Sequence, residues 1–332
     1  MRPGFVPFSM LFLKKKTDKT NNLMKYLRTI VIALAGILMV SCCNHQVKPC
    51  DPAKAMSILK DPSSKKVLVA SHRGDWRNYP ENSIPAIESV IRMGVDIMEL
   101  DVAMTSDSVL VLSHDATVNR TTNGRGAVSS FTLDSLKTLK LKRAHGVTTD
   151  SLRIPTLEEA LTVCKGRILV NVDHGWNYFD QVMEVAKKVG CVDQIIFKSG
   201  GTRQATAEAM QQCKDAGIFY MPIVTVVRDG SSPTIDTYLD GGEMPAMFEV
   251  CFTQDIPEVA AYTKALQDAG SKIWINSIWG SLCGYNDDDR AFQSPEEAEA
   301  AYGRLIELGA KVFQTDRPEY LLNYLRKHHL HD

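Results

Sequence analysis

The 332-residue sequence has almost no excess of charge of either sign. Lysine and arginine together number 38, aspartate and glutamate together number 39, and the formal net charge at pH 7 is −1. Proteins that bind nucleic acids normally present a basic face, so this balance gives no support for a nucleic-acid partner. Hydrophobic residues make up 44%, and no internal repeat stands out, as in an ordinary globular protein of one large or two small domains.

Cysteine is present, but not in the patterns that would define a site. None of the eight cysteines forms a Cys-x-x-Cys pair, so neither a zinc ribbon nor a dithiol redox motif is expected. Free cysteines in apolar surroundings usually act as small core residues. We expect this of four of them, namely Cys164, Cys191, Cys213 and Cys251.

The apolar segment near the N-terminus is too short for a comfortable bilayer span of about 20 residues. It covers Ile30–Val40, follows a basic region that starts at Met24, and leads to Ser41 and Cys42. This order is typical of a secretory signal. A cysteine directly after the small residue resembles the bacterial lipoprotein signal, which implies cleavage before Cys42 and acylation of its sulfur. The alternatives are a plain signal peptide and a single anchor helix.

We therefore predict three regions in the chain. Residues 1–41 form a signal peptide whose true start is Met24, residues 42–66 form a lipid-anchored tether, and residues 67–332 form the folded domain. The mature protein is expected in the cell envelope, as a membrane-anchored lipoprotein that faces the periplasm or the exterior. The oligomeric state stays open, because no self-complementary patch is visible in a single sequence.

Strand-like apolar runs alternate with helical patterns from residue 67 to the end of the chain. A hairpin of the second strand with a short run at Val109–Leu112 is also expected. Eight strands separated by helices predict a (β/α)₈ barrel rather than an open doubly wound sheet. The eight predicted strands are Val67–Ala70, Asp96–Asp101, Ile168–Val172, Gln194–Lys198, Ile218–Val224, Met247–Cys251, Lys272–Asn276 and Lys311–Thr315.

Two segments are longer than a bare barrel requires. Residues 116–154 form an insertion after an early strand, and residues 281–294 carry the acidic run Asp287-Asp288-Asp289. A long insertion at a strand end is more often a lid or a substrate-shaping loop than a passive connection.

Three early strands end at residues able to do chemistry, namely His72 and Arg73, then Glu99 and Asp101, then His114. In α/β barrels and sheets, ligands collect where the strands end at their carboxyl side. This placement predicts a site that handles phosphate or a metal ion.

Glu99 and Asp101 are the sharpest local signal. Alternate residues of a strand point to the same face, so these two carboxylates project together. Asp173 ends the strand of the next βα unit and adds a third carboxylate. Close carboxylates repel unless a cation lies between them, and a rigid set of carboxylate oxygens suits one divalent cation, Ca²⁺ or Mg²⁺. The alternative is that basic neighbours neutralise the first two acids and that Asp173 caps the next helix.

His72 and His114 both follow strands, and two imidazoles beside a metal-bound phosphate could act as general base and general acid. A single histidine in this position is otherwise structural or exposed to solvent. Arg73 and Lys198 could bind phosphate oxygens, arginine through its planar fork and lysine as a point charge. Together these cations and acids favour a metal-assisted phosphoester site over a glycosidase site.

Six short motifs give the chain a resemblance to the glycerophosphodiester phosphodiesterase family over about residues 67–325. Glu81 and Asn82 are expected to brace the first loop rather than to contact substrate. The motifs are His72-Arg73-Gly74, Pro80-Glu81-Asn82, Glu99-x-Asp101, His114-Asp115, Arg120-Thr121-Thr122 and Thr315-Asp316-Arg317-Pro318.

The resemblance implies a (β/α)₈ barrel with an insertion after an early strand, which residues 116–154 would form. It also implies roles by position: acid/base histidines His72 and His114, phosphate-binding Arg73, and metal ligands Glu99, Asp101 and Asp173.

The chain departs from the family pattern at one strand. Asp173 falls where members usually have the glutamate of a Glu-x-Lys pattern, and Gly175 takes the place of the lysine. We expect Lys198, on the next strand, to replace that lysine; this substitution is our own inference rather than a family rule. Trp279 lies near the aromatic residue that members place after the seventh strand, and it is expected against the glycerol moiety.

These features predict a metal-dependent hydrolase of glycerophosphodiesters that releases glycerol 3-phosphate and an alcohol. One alternative is a lysophospholipase-D-like activity, which an apolar, deep face on the insertion would favour. The other is a lipoprotein that binds phosphodiesters without catalysis. A binder would need the cation and Arg73 but not two histidines, so the pair of His72 and His114 favours the enzyme.

Overall fold

The computed structural model describes residues 49–144 and 146–332, and its central element is a closed barrel of eight parallel strands. The barrel closes through pairing of the first strand with both the second and the last. A short strand, β3 (Leu110–Leu112), forms the predicted antiparallel hairpin with the second strand. The barrel strands are β1 (Leu68–Ser71), β2 (Ile97–Met104), β4 (Leu169–Asp173), β5 (Ile195–Gly200), β6 (Phe219–Val226), β7 (Met247–Phe252), β8 (Lys272–Asn276) and β9 (Ala310–Thr315).

The (β/α)₈ prediction is confirmed, and all nine predicted strands are present with only small shifts at their ends. Their near-continuous apolar sequence fits burial on both faces, as in a parallel barrel covered by helices. Outward-facing residues such as Met98 and Leu100 pack against the helices, whereas Ile97 faces a separate core inside the barrel.

Helices cover the outside of the barrel, and local signals set their ends. The helix before β2 ends at Gly94, whose φ of 78° is the left-handed cap that glycine favours. The helix after the insertion begins with the predicted capping box between Thr156 and Glu159. The α-helices of six or more residues are Pro52–Lys60, Ile84–Met93, Leu157–Cys164, Phe179–Val189, Arg203–Asp215, Pro233–Leu239, Pro257–Asp268 and Pro318–Lys327. Shorter α-helical turns lie at Leu133–Lys137, Gly280–Cys283 and Asp288–Ala291. Before the last strand, the α-helical turns Pro295–Ala298 and Arg304–Glu307 are joined by a π-helical turn at Glu299–Gly303.

Residues 49–66 were predicted as part of the tether of residues 42–66, but they are folded onto the barrel; residues 42–48 lie outside the described residues. Residues 49–66 belong to the same compact unit as the barrel, and they contain the helix Pro52–Lys60. Met56 and Leu59 pack against the apolar residues inside the barrel, at the end where the strands begin. The folded domain therefore starts at Pro49, because this helix covers a hydrophobic surface that would otherwise face water.

The insertion at residues 116–154 has a small core of its own, formed with β3 and the loop after it. Val118, Val128, Leu136 and Leu141 are buried there against Val111 of β3. Most large apolar side chains of the insertion thus hold it on the barrel, and its polar side chains stay available to the site.

The cysteines of the described residues are unpaired, and the four predicted as core residues are buried: Cys164, Cys191, Cys213 and Cys251. Between Pro49 and Asp332, His145 excepted, no helix is long and apolar enough to span a membrane. The predicted signal peptide, the start at Met24 and the acylation of Cys42 lie outside the described residues.

Candidate active site

Strand alternation brings the three predicted carboxylates together inside the barrel, at the carboxyl ends of β2 and β4. Asp101 pairs directly with Asp173 across the two parallel strands, and Glu99 lies two residues before Asp101 on the same face. One oxygen from each of the three carboxylates falls within 4.8 Å of the others. Glu99 and Asp101 are fully buried, and Asp173 is partly exposed.

The chemistry of this donor set fits a divalent cation. Burial raises the pKa of Glu99 well above its usual value, and the charges of Asp101 and Asp173 raise it further. The Oδ1 atom of Asp101 is buried and has no hydrogen-bond partner among the described residues, although Asn82 donates to Oδ2 at 2.7 Å. A hard cation bound to the three carboxylates would satisfy this orphaned oxygen and remove the repulsion.

Lys198 lies inside the barrel below this cluster rather than in the open cavity beside it. Its Nζ atom is 3.6 Å from Asp173 Oδ1 and 3.2 Å from Glu249 Oε2. Burial by itself lowers the pKa of Lys198, but the charges of Glu249 and Asp173 outweigh this effect and raise it above its ordinary value. Lys198 is therefore a cation that supports one of the candidate metal ligands from inside the barrel.

His72 is held by an acid that sequence reasoning did not single out as a functional residue. Its Nδ1–H donates to Asp316 Oδ1 at 2.7 Å, and Trp76 Nε1–H donates to the same oxygen at 2.7 Å. Because a carboxylate accepts only, Nδ1 carries the proton and Nε2 is left with its lone pair. Trp279 packs edge-on against the His72 ring, with 5.6 Å between ring centroids.

Asp316 is itself fixed by a buried aspartate, Asp288 from the acidic run. The backbone N–H of Asp316 donates to Asp288 Oδ2 at 2.6 Å. Three hydroxyl groups also donate to this carboxylate, those of Ser277, Thr315 and Tyr302. Burial raises the pKa of Asp288 to about 7 despite these donors. The acidic run therefore contributes a structural residue to the site.

His114 has an equivalent arrangement with its neighbour in sequence. Its Nδ1–H donates to Asp115 Oδ1 at 2.8 Å. Arg120 bonds to Asp115 and to Glu81, and the Arg120 guanidinium holds the pKa of Asp115 well below its usual range. His114 is thus also presented with a protonated Nδ1 and an available Nε2, but it is more exposed than His72.

Arg73 bends the loop after β1 across the carboxylate cluster. Its backbone is left-handed, with φ of 54°, and its N–H donates to Glu99 Oε2 at 2.7 Å. The guanidinium lies 3.3 Å from Glu81 and 3.5 Å from Asp101. Glu81 contacts Arg73 and Arg120, and Asn82 contacts Asp101 and the backbone of Arg73, so both brace the loop as predicted. Glu81 also lines the cavity beside it. A non-glycine residue with positive φ in a position like this is typical of functional sites.

A cavity of about 390 Å³ opens beside His72 and Arg73. One side carries Trp76 and Trp279, the latter 49% exposed. The insertion supplies polar and basic residues, which are Arg120, Thr121, Lys142 and Arg143, together with the small residues Ala144 and Gly146. The insertion therefore shapes the cavity, as expected for a long loop at the carboxyl end of a barrel strand.

Sequence reasoning missed the partners of the site residues. Asp316 and Glu249 both lie on late strands or just after them, far in sequence from the residues that they contact. The available signal was an acidic residue within a barrel strand for Glu249 and one directly after a barrel strand for Asp316.

Fold and site together define a (β/α)₈ barrel with an acidic candidate cation site and two carboxylate-held histidines at the carboxyl ends of its strands. A model of the glycerophosphoryl diester phosphodiesterase family matches residues 72–270, well over half of the chain. The chain belongs to this family. A second model, described only as a domain of unknown function, matches residues 220–325.

Individual relatives agree with this assignment. A glycerophosphodiester phosphodiesterase of Caldanaerobacter subterraneus is 45% identical over 109 residues, which cover 32% of this chain and 45% of that protein. Glycerophosphodiester phosphodiesterase 1 of mouse is 35% identical over 133 residues, 40% of each chain. The matched region thus spans less than half the length of these curated relatives.

Solved structures share the fold. A glycerophosphoryl diester phosphodiesterase from Parabacteroides distasonis superimposes with a TM-score of 0.68 at 24% identity, over 85% of this chain and 94% of that one. A phosphodiesterase from Oleispira antarctica, solved with the product sn-glycerol-3-phosphate, gives a TM-score of 0.57 at 19% identity, over 80% of this chain and 99% of that one.

Proposed function

We propose that the protein hydrolyses glycerophosphodiesters to glycerol 3-phosphate and an alcohol. The observation that carries this proposal is a cluster of three carboxylates with His114 beside Asp101 and with His72 directly before Arg73, whose N–H donates to Glu99; each histidine is held through Nδ1 by its own acid. A binding protein would need the carboxylates and Arg73 but would have no use for two oriented proton carriers.

In this reaction one histidine takes a proton from the attacking oxygen, and the other gives a proton to the leaving alcohol. The attacking oxygen belongs to water or to the neighbouring glycerol hydroxyl. His72 and His114 each present Nε2 for this purpose, because Nδ1–H is bonded to Asp316 or Asp115. Each acid also stabilises the imidazolium that forms when Nε2 accepts a proton.

Arg73 supplies positive charge for the phosphate. Its Nε atom is buried without a hydrogen-bond partner among the described residues, and it lies on the carboxylate cluster. A phosphate oxygen would give this N–H the acceptor that it lacks. Trp279, beside His72 and half exposed, is placed to contact the glycerol moiety.

Glu99, Asp101 and Asp173 would hold one divalent cation, Ca²⁺ or Mg²⁺, which when bound would neutralise charge on the phosphodiester. Lys198 would assist by fixing Asp173, from which it lies 3.6 Å, and by compensating the surplus of negative charge. We propose that Lys198 replaces the positive charge of the family's missing lysine. It does so through its contact with Asp173, a candidate metal ligand.

The cavity favours a water-soluble substrate over a lysophospholipid. The insertion lines it with Arg120, Thr121, Lys142 and Arg143 and with the small residues Ala144 and Gly146, so a single acyl chain would meet no large apolar side chain of the insertion there. Most of the large apolar residues of the insertion pack in its own core, and Val147 is the exposed exception. A short, polar glycerophosphodiester fits this lining better.

The test is release of glycerol 3-phosphate from glycerophosphocholine and glycerophosphoethanolamine, with Ca²⁺, with Mg²⁺ and with a chelator. We expect turnover that needs a cation and that falls by at least about 100-fold in Glu99→Gln, because one cation ligand is lost. If the protein cleaved lysophospholipid and none of the glycerophosphodiesters, the proposed substrate class would be wrong. Binding of the diesters without any turnover would contradict catalysis.

We also propose that the mature chain is anchored in the cell envelope through Cys42. The support is the sequence order of a basic start, Ile30–Val40 and Ser41-Cys42. Intact mass of the native protein tests this proposal, since an unlipidated mature chain would contradict it.

A further inference from the structure

A second group of possible metal ligands adjoins the carboxylate cluster and shares one residue with it. Asp101, His114 and His174 each offer one ligand atom, and these atoms lie within 4.8 Å of one another. This group contains two imidazoles and one carboxylate, whereas Glu99, Asp101 and Asp173 offer oxygen only. Imidazole ligands suit zinc and related transition metals, and carboxylate sets suit Mg²⁺ and Ca²⁺.

We propose that Asp101, His114 and His174 form a distinct site for a divalent transition metal, with Zn²⁺ as the best fit. Two histidines and one carboxylate, with a position left open, form a familiar three-ligand zinc set.

His114 is prepared for this role by its neighbours. Its Nδ1–H is held by Asp115 at 2.8 Å, so the lone pair of Nε2 is available and the ring orientation is fixed. Arg120 in turn bonds to both oxygens of Asp115. A carboxylate behind a ligating histidine is the usual support of a zinc site, because it fixes the tautomer and makes the imidazole more basic.

Asp101 supplies a ligand atom that protein groups leave unsatisfied. Its side chain is fully buried, and Oδ1 has no hydrogen-bond partner among the described residues. This orphaned oxygen points to a positively charged ligand at this position. The carboxylate cluster would offer the same side chain to its own cation, so Asp101 would be shared between the two sites, and the two imidazoles are what is specific to the zinc site.

His174 completes the set through an uncommon backbone conformation. It directly follows Asp173 and has φ of 59°, a left-handed conformation that places its ring 5.6 Å from that of His114, measured between centroids. Tetrahedral zinc ligands lie about 3.4 Å apart when the bonds are about 2.1 Å. The ligand atoms of the group lie within 4.8 Å of one another, and rotation of the exposed His174 side chain can shorten its distances to the other two.

Zinc at this site would inhibit the enzyme. Coordination would occupy the Nε2 lone pair of His114, which would then be unable to carry a proton. This consequence rests on the proposed function, whereas the binding of zinc does not.

The experiment titrates the chelator-treated full chain with ZnCl₂ in excess Mg²⁺ and measures binding by calorimetry beside inhibition of diester hydrolysis. The test variant is His174→Asn, because asparagine tolerates the left-handed backbone but lacks the imidazole. His328→Asn, at a histidine that contacts Glu299 instead, is the control.

We expect one Zn²⁺ to bind wild type and control in the presence of Mg²⁺. In His174→Asn, the affinity for Zn²⁺ should fall at least about tenfold, the inhibitory concentration should rise in parallel, and activity with Mg²⁺ alone should stay within about twofold. Equal zinc affinity in wild type and His174→Asn would overturn the proposal, as would complete competition by Mg²⁺. If no variant hydrolyses any diester, the proposed function fails while the calorimetry still decides the zinc site.

Discussion

At the scale of single residues, the site depends on acids that act through other side chains. Asp316 accepts a hydrogen bond from the Nδ1–H of His72, and Asp288 accepts one from the backbone N–H of Asp316. Asp115 likewise accepts a hydrogen bond from the Nδ1–H of His114. Each histidine therefore has one defined tautomer and one defined ring orientation, which proton transfer at Nε2 requires.

The first prediction concerns Asp316. Asp316→Asn should lower kcat by at least about 100-fold, because an amide offers N–H as well as oxygen to His72 Nδ1 and no longer stabilises the imidazolium. KM should change much less. The measurement is steady-state kinetics with glycerophosphodiester across a range of pH, together with thermal unfolding to verify the fold.

Asp289→Asn is the matched control, since Asp289 is an exposed acid that contacts Arg317 and Arg77 rather than a histidine. Equal kinetics for Asp316→Asn and wild type would show that Asp316 does not position His72.

The residues proposed to bind the cation or transfer protons could be predicted from the sequence, but the residues that hold them in place could not. Glu99, Asp101 and His114 stand within one short stretch, where strand alternation and strand ends identify them. Asp316 reaches His72 across 244 residues, and Glu249 reaches Lys198 only because the barrel brings β5 and β7 to a common interior. Such pairings form only when the barrel closes. Local sequence patterns predict that a barrel forms, but they do not predict which distant residues come into contact.

At the scale of elements, the helix Pro52–Lys60 changes the boundary of the domain. It carries Ala55, Met56 and Leu59 on one face, and these residues close the apolar core inside the barrel. The sequence around it is rich in Lys, Asp, Pro and Ser, and this composition predicted a tether. Burial of one face by tertiary packing outweighed that polar composition.

A second prediction follows for this helix. Leu59→Ala should reduce the free energy of unfolding by about 3 kcal/mol, because Leu59 is 1% exposed and its loss leaves a cavity in a closed core. Urea denaturation of the purified protein measures the change. Ser57→Ala, at an exposed position of the same helix, should shift stability by no more than about 0.5 kcal/mol.

If Leu59→Ala were as stable as Ser57→Ala, the helix would not be part of the barrel core. Residues 49–66 would then be the tether that their composition suggested.

At the scale of the whole molecule, the two ends of the described chain meet at the start of the barrel strands. His331 Nε2 lies 2.9 Å from Asp96 Oδ2, and this oxygen also accepts the N–H of Val69 in β1. The C-terminal Asp332 contacts Lys54 and Lys66. Residues next to the barrel's first strand are thus tied to the last residues of the chain.

The contact between His331 and Asp96 predicts that the stability of the fold depends on pH. Burial lowers the pKa of His331, but Asp96 outweighs burial and raises it above the ordinary value of about 6.5. A raised histidine pKa stabilises the fold below the unfolded pKa, and this contribution is lost as pH rises through the folded pKa. His331→Gln keeps a hydrogen-bond donor and removes the charge.

Urea denaturation should therefore show wild type more stable than His331→Gln by roughly 1 kcal/mol at about pH 6, with the difference close to zero at about pH 9. A difference that does not change with pH would mean that His331 contributes packing and not charge.

The central claim is that His72 and His114 form one proton-transfer pair over a cation held by the three carboxylates. The most direct measurement is release of glycerol 3-phosphate from glycerophosphodiester by His72→Ala and His114→Ala, with the preferred cation at saturation. His328→Ala, at a half-buried histidine that packs on Tyr324 outside the site, is the control. We predict that each of the first two variants loses at least about 100-fold in kcat, while the control matches wild type. Substantial activity in either histidine variant, once folding is verified, would contradict the pair.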